Sequence, residues 1–400
     1  MVATAKILHL VRLVMWHRTF RILFLLCLWS PGLALAQSGP AGAVVAGSDA
    51  AAGSEVSADI FTVQGLAVDV TAESAVAARR QAMREGQRQA LNILLRRITL
   101  RTDHLSLPDP SDDAITQIVA TVEVAKEKTS TIRYLAELTV RFRRNAVRGL
   151  LRGVGISFSE TRAKPILVLP IFEKGAVLSL FEAGNVWRGA WQRLDLPATS
   201  LLPLRLPMGD LQDITTLTAA AALAGKSKQL RAIAQRHGVE KVMVAHAVLR
   251  IDLASGGVPQ VQVNLLRYGP RGKSTEVLDY TASVSGGLEQ ALKNLALRVA
   301  VDQEEQWKRR TQLTFGADTS LSALVPLSGL ADWLTVRQRL GASAMVRSIK
   351  LQGISRQDAQ VVIDYLGDTD SLVVSLAQRD LDLALIDGFW MLRLAKDKAQ

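Results

Sequence analysis

Four hundred residues carry 48 Lys and Arg against 37 Asp and Glu, a formal net charge of +11, with 48% hydrophobic residues and a single cysteine. That length suggests about two to three domains, each with enough material for a core. The composition excludes a disordered tail, a collagen-like repeat and a disulfide scaffold, and it names no reaction.

The first 36 residues read as a secretory leader. Lys6, Arg12, Arg18 and Arg21 stand without an acid, the apolar run Ile22 to Trp29 follows, and Ala34-Leu35-Ala36 offers a small-residue cleavage site before Gln37. The apolar run is much shorter than the roughly 20 residues of a membrane-spanning helix. Met1 and Met15 are both candidate starts. Cleavage after Ala36 would remove the only cysteine, Cys27, which Leu26 also disqualifies as a lipid-attachment site. A chain without cysteine has no thiolate for zinc, for an iron–sulfur cluster or for nucleophilic attack. Cleavage would also lower the positive charge by four. Export argues against nucleic acid as a partner, so the remaining basicity points to solubility or to weak attraction toward an anionic membrane surface. The expected mature protein is soluble and periplasmic.

Residues 37–57, rich in Ala, Gly and Ser, form the expected flexible linker. A small α+β module over 58–155 begins with a strand from Ile60 to Val70. A long helix from Glu73 to Ile98 follows, with Thr71 placed to cap it and Ala75, Ala78, Ala82, Ala90, Leu91, Leu94 and Leu95 along one face. Past Pro108 and Pro110, the pattern predicts strands at Val119–Val124 and Thr131–Phe142 and a basic helix at Ala146–Arg152.

A layered α+β domain over 164–310 opens with the buried-strand run Pro165 to Pro170. Lys174-Gly175 marks a turn into a short strand ending near Phe181. The helix Asn185–Leu194 carries Trp187 and Trp191 four apart, and Leu201–Pro207 is extended. A helical stretch runs from Asp210 through Leu223. The helix Ser227–His237 stops at Gly238. Three strands, Val239–Ile251, Gln260–Tyr268 and Thr275–Val284, read as an antiparallel meander, closed by the helix Leu288–Arg310. Residues 311–324 read as a connector. A C-terminal α+β module over 325–395 is expected to hold a helix at Leu330–Leu340, a strand at Met345–Leu351, a helix from Ser355 to Leu366 and a helix at Ser371–Gln378. A hairpin around Asp387-Gly388 ends it. The fold class is α+β, with several layered modules of antiparallel sheet packed against long helices.

Three segments carry a resemblance. They are the strand Phe61–Val70 leading into Ala77-Ala78-Arg79-Arg80-Gln81-Ala82; the pieces Pro165-Ile166-Leu167-Val168-Leu169-Pro170 and Asn185-Val186-Trp187-Arg188-Gly189-Ala190-Trp191; and the run Leu202 to Asp213 containing Pro207-Met208-Gly209-Asp210. Their order and content resemble the exported bacterial proteins known as DUF2066, over about residues 58–310. Val186 departs from the proline expected between Asn and Trp, which suggests a looser start to that helix. The resemblance implies secretion and domain layout, and no reaction, ligand or cofactor.

The candidate binding residues are Trp187, Trp191, Asp210 and Asp213; no catalytic residue, metal or cofactor is expected. Asp210 and Asp213 could share a proton or hold a metal, or could serve as N-cap and first-turn acid of a helix. The two tryptophans could stack a glycan or peptide, or lie in the core. His104, His237 and His246 lack metal-binding spacing. Gly272-Lys273-Ser274 lacks the earlier glycine and the following helix of a phosphate loop, and Gly153-Val154-Gly155 lacks the third glycine of a dinucleotide fingerprint. Lys308-Arg309-Arg310 at a helix end could touch anionic lipid. The expected role is a non-catalytic binding or scaffolding component of the cell envelope, partnered by an envelope protein or glycan. The alternative is an envelope-polymer hydrolase using Asp210 and Asp213.

Overall fold

The computed structural model describes residues 59–251, 258–270, 272–275, 280–284, 286–314 and 319–395. The leader ending at Ala36, the linker over 37–57 and the turn at Ser255-Gly256-Gly257 lie outside them. The first module runs β1 (Thr62–Thr71), α1 (Ala75–Ile98), α2 (Asp112–Ile118), β2 (Val119–Thr129), β3 (Arg133–Phe142) and α3 (Arg144–Gly153). β3 pairs antiparallel with both β1 and β2, so β1 and β2 run parallel with α1 as their crossover. Ala78, Ala82, Gly86 and Ala90 line the buried stripe of α1, and these small residues bring the helix backbone close to the sheet. The cap is Ser74, which accepts the Ala77 N–H, rather than Thr71, which ends β1. The helix α2, unannounced by the prolines before it, is capped by Ser111.

The second module holds β4 (Phe158–Ser159), β5 (Ile166–Lys174), β6 (Val177–Ser179), α4 (Val186–Gln192), β7 (Leu204–Arg205), α5 (Leu211–Thr216), α6 (Ala219–Leu223), α7 (Ser227–Arg236), β8 (Lys241–Ile251), β9 (Pro259–Gly269), β10 (Gly272–Thr275), β11 (Tyr280–Ser283) and α8 (Leu288–Arg310). Its sheet is mixed. β8, β9, β10 and β11 pair antiparallel as expected, whereas β5 runs parallel to β8 and to β7 because helices carry the connections. Both faces of β5 are covered, which is why Ile166 to Phe172 shows no alternation. Val168 and Phe172 face α4 and α8, while Leu167, Leu169 and Ile171 face α6 and α7. The expected helix over 210–223 is two short helices. Leu217 is buried at the break and Thr218 caps the second.

The C-terminal module begins with β12 (Gln312–Leu313), paired to β4. It continues with β13 (Thr319–Pro326), α9 (Leu330–Gly341), β14 (Val346–Ile354), β15 (Asp358–Tyr365), α10 (Thr369–Ala377), β16 (Leu381–Ile386) and β17 (Phe389–Leu394). The sheet order is β14-β15-β13-β17-β16. Two expectations fail here. The supposed connector contains β13, the central strand, and the supposed helix 355–366 is β15. In β15, Ala359, Val361, Ile363 and Tyr365 are buried in alternation, and its β-branched run suits a pleated surface better than a helix.

The order β13-α9-β14-β15, with the third strand inserted between the first two, repeats the topology of β1-α1-β2-β3. These two modules share one apolar cluster that includes Phe158 and Leu313 from the β4–β12 pair. α8 joins the assembly. Its Trp307 Nε1 donates to Thr161 O at 2.7 Å. Buried Lys308 donates to Thr99 O at 2.8 Å and to Glu305 at 2.9 Å, which satisfies carbonyls at the C-terminal end of α1. The chain folds as an α+β protein, and none of its described helices is long and apolar enough to cross a membrane.

Candidate functional site

The four candidate residues sit on two adjoining elements, α4 and the Pro207–Thr216 segment. Asn185 starts α4: its Oδ1 accepts the Arg188 N–H at 2.9 Å, and its Nδ2 donates to Pro170 O and Leu180 O, each at 2.9 Å. With that cap, the entry that Val186 was expected to loosen is firmly held. α4 turns both indoles inward against α8 and the sheet. Trp187 is 0% exposed and Trp191 is 3% exposed, and their rings meet edge-to-face with centroids 5.6 Å apart. Trp187 Nε1 donates to Ala245 O at 2.9 Å, and Trp191 Nε1 is buried with no hydrogen-bond partner among the described residues. Neither ring presents a face to a glycan or peptide. The aromatic-platform expectation is therefore corrected: a four-residue spacing puts two rings on one helix face, and here that face packs on the sheet.

Arg188, between the tryptophans, reaches the other way. Its Nη2 donates to Met208 O at 2.6 Å. Gly209 has φ +74°, which strains any residue with a side chain, and a Cβ there would also displace the Arg188 guanidinium 2.6 Å away, the movable end of a long side chain. The turn delivers Asp210 as the N-cap of α5, where Oδ1 accepts the Asp213 N–H at 2.9 Å.

Asp213 has no exposed surface. Oδ2 accepts the Gly209 N–H at 2.8 Å, and Oδ1 accepts Arg236 Nε at 2.7 Å and His237 Nε2 at 2.8 Å. Arg236 also binds Asp210 Oδ2 and Gln212 Oε1. Burial pushes the Asp213 carboxyl up, but the Gly209 amide, Arg236 and His237 outweigh it and hold the carboxyl below the usual carboxylate range. An ionised carboxylate only accepts hydrogen bonds, so His237 carries its proton on Nε2.

This arrangement ties α5 to the C-terminal end of α7. It does not form paired acids in an open cleft. A carboxylate sealed from water with both oxygens engaged has no path for proton exchange with a substrate, so the hydrolase geometry is not the one present. Sequence spacing showed the Asp210 cap and the first-turn position of Asp213. It did not show Arg236 and His237, which arrive from 23 and 24 residues away.

Two features escaped the sequence reading. His246 Nε2 lies 2.8 Å from Glu173 Oε2, a link between the parallel strands β5 and β8. On the outside of the clamp, Met208 and Leu211 are each 76% exposed, with Ile214 beside them. A three-residue spacing of apolar side chains normally marks a buried stripe, and here it faces water. At the end of α8, Lys308 is withdrawn into the interior, so it is not available to lipid. No group of three metal-ligating side chains occurs among the described residues.

No family model, curated protein or solved structure matches this chain.

Proposed function

We propose that this chain is an exported component of the cell envelope that acts by binding rather than by catalysis. The observation that carries the reading is the enclosure of Asp213. The acidic pair most suited to chemistry is spent on holding α5 in place, while the same segment turns Met208, Leu211 and Ile214 outward. A rigidly mounted, exposed apolar row suits contact with another macromolecule. The leader pattern and the resemblance to DUF2066 proteins support the compartment, and they rest on the residues quoted above alone.

A photoreactive residue in place of Leu211, activated in intact cells, tests the reading. Cross-links to an envelope protein or glycan are expected, with the processed chain in the envelope fraction. Recovery of the unprocessed chain in the cytosol would sink the export reading. Release of soluble fragments from cell-wall polymer that ceased in an Asp210→Asn variant would restore the hydrolase.

A further inference from the structure

β14 is an edge strand. Among the described residues it is hydrogen-bonded to β15 on one side only, and α9 packs beside it. Ile349, Leu351 and Ile354 lie opposite Ile363, Val361 and Ala359 of β15, the residues that face the helices. They therefore point toward α9. On α9, Trp333, Val336 and Leu340 are buried, and Arg339 on one flank donates to Asp380 O beside β16. Leu330, Leu334 and Arg337 occupy the other flank, which looks over β14. Leu330, Leu334, Leu351 and Ile354 are between 45% and 66% exposed, and a cavity of about 330 Å³ opens between Leu330 and Ile354. The result is an apolar groove bounded by a helix on one side and by an open strand edge on the other. That combination accepts an extended peptide: the strand edge supplies main-chain hydrogen bonds, and the groove takes alternate side chains.

Charge selects among occupants. Arg337 continues the leucine row, Arg356 borders the cavity, and Arg347 and Lys350 lie along β14, with Lys350 2.8 Å from Asp364 on the sheet's far face. The cavity lining itself holds no acidic residue, while Asp332 accepts from the Ser328 N–H and Asp358 from the Ser355 hydroxyl beside it. Antiparallel pairing of β14 with a second copy, centred on Lys350, would set two lysines directly opposite, which disfavours that register of self-association. An acidic strand meets the same charges favourably.

We propose that the β14–α9 groove binds an extended peptide segment in which apolar residues alternate with Asp or Glu, added as a further strand on β14. This names a surface and a partner class for the binding reading, but it does not depend on export. A chain found in the cytosol that still bound such a peptide would defeat the export reading alone.

The test uses the whole protein and a short fluorescent peptide of alternating Val and Glu, read by anisotropy. Binding is expected, with an alternating Val/Lys peptide binding at least about tenfold more weakly. Leu334→Asp and Leu351→Asp, both at exposed positions, should each weaken binding by about tenfold, the worth of one buried leucine. N-methylation of alternate peptide residues should weaken it comparably by removing main-chain donors. The variant Lys350→Glu, on the face of β14 toward which the peptide's charged residues would point, should reverse the preference toward the Val/Lys peptide, which shows the groove still folded while changing its choice. Equal binding by the N-methylated peptide, or affinity indifferent to both leucine substitutions, would overturn the proposal. So would a dimer abolished by Leu351→Asp without peptide binding, because the occupant would then be a second copy. Binding to phosphatidylglycerol vesicles that is lost in the same variants, again without peptide binding, would assign the patch to lipid and overturn it equally.

Discussion

Arg236 Nε lies 2.7 Å from Oδ1 of Asp213, a carboxylate with no exposed surface, and the same guanidinium reaches Asp210 and Gln212. One side chain from the end of α7 therefore organises the whole N-terminal turn of α5. Removing the buried acceptor strands the Gly209 amide and His237 and leaves Arg236 only Asp210 and Gln212. Asp213→Ala is expected to cost on the order of 3 kcal/mol, the low end for breaking a buried pair because Arg236 keeps some contact with water. Urea unfolding would read it. The folded-state carboxyl titrates below its unfolded value of 3.8, so its stabilising contribution is complete above about pH 4 and is lost as pH falls through the lower, folded value. The variant should lose that acid dependence. A variant as stable as the parent would show that the clamp contributes nothing to the fold.

The two tryptophans should respond differently to the same substitution. Trp187→Phe removes a buried hydrogen bond to Ala245 O as well as ring volume, whereas Trp191→Phe removes an indole N–H that has no partner among the described residues. Loss of a made bond costs about 1 kcal/mol, and loss of an unpaired buried donor returns some free energy. Trp187→Phe should therefore be the more destabilising by roughly 1 kcal/mol or more, measured by thermal or urea unfolding. Equal losses would mean that ring volume alone decides both sites.

Most helices, the Asp210 cap and the final hairpin were legible in the sequence because each is a local event, although the cap of α1 is Ser74 rather than Thr71 and the short α2 was missed. Asp210 as a cap, Gly238 after α7 and Asp387-Gly388 between β16 and β17 all sit where short-range spacing puts them. The remaining failures were non-local or ambiguous. Val361-Val362-Ile363 fits a short strand or a buried helix turn, and only pairing with β13 and β14 decides between them. The spacing of Trp187 and Trp191 marks one helix face but not whether water or sheet lies against it. The exposed leucines of α9 and β14 look like core positions in any hydrophobicity count. They become a groove only because β14 ends its sheet.

His104 should make stability sensitive to mild acid. Burial, together with the nearby positive charges of Lys308 and Arg96, holds its imidazolium form below the ordinary histidine value, with the Arg96 carbonyl and Glu305 offsetting only part of this. The unfolded chain, at about 6.5, then binds the proton more readily than the folded one. Stability contributed by the neutral ring is full above about pH 6.5 and declines as pH falls toward the folded value. Comparing urea midpoints between pH 7.5 and 5 for the parent and a His104→Gln variant isolates the effect. An unchanged slope in the variant would assign the pH dependence to other groups.

Gly86 reverses a usual expectation about helices. It lies inside α1, where replacing glycine by alanine ordinarily adds about 1 kcal/mol of stability by restricting the unfolded chain. Here a Cβ would stand 2.5 Å from Leu138 Cδ1 and 3.1 Å from Val68 Cγ1. Leu138 is fully buried on the central strand of its sheet and has nowhere to retreat without displacing its neighbours. Overpacking of this kind costs about 1–3 kcal/mol, which exceeds the propensity gain. Gly86→Ala should thus destabilise the protein, and Gly86→Ala/Leu138→Val, which removes a methylene at the point of contact, should recover part of the loss. A stabilised single variant in urea unfolding would mean that Leu138 can yield to the added methyl at little cost.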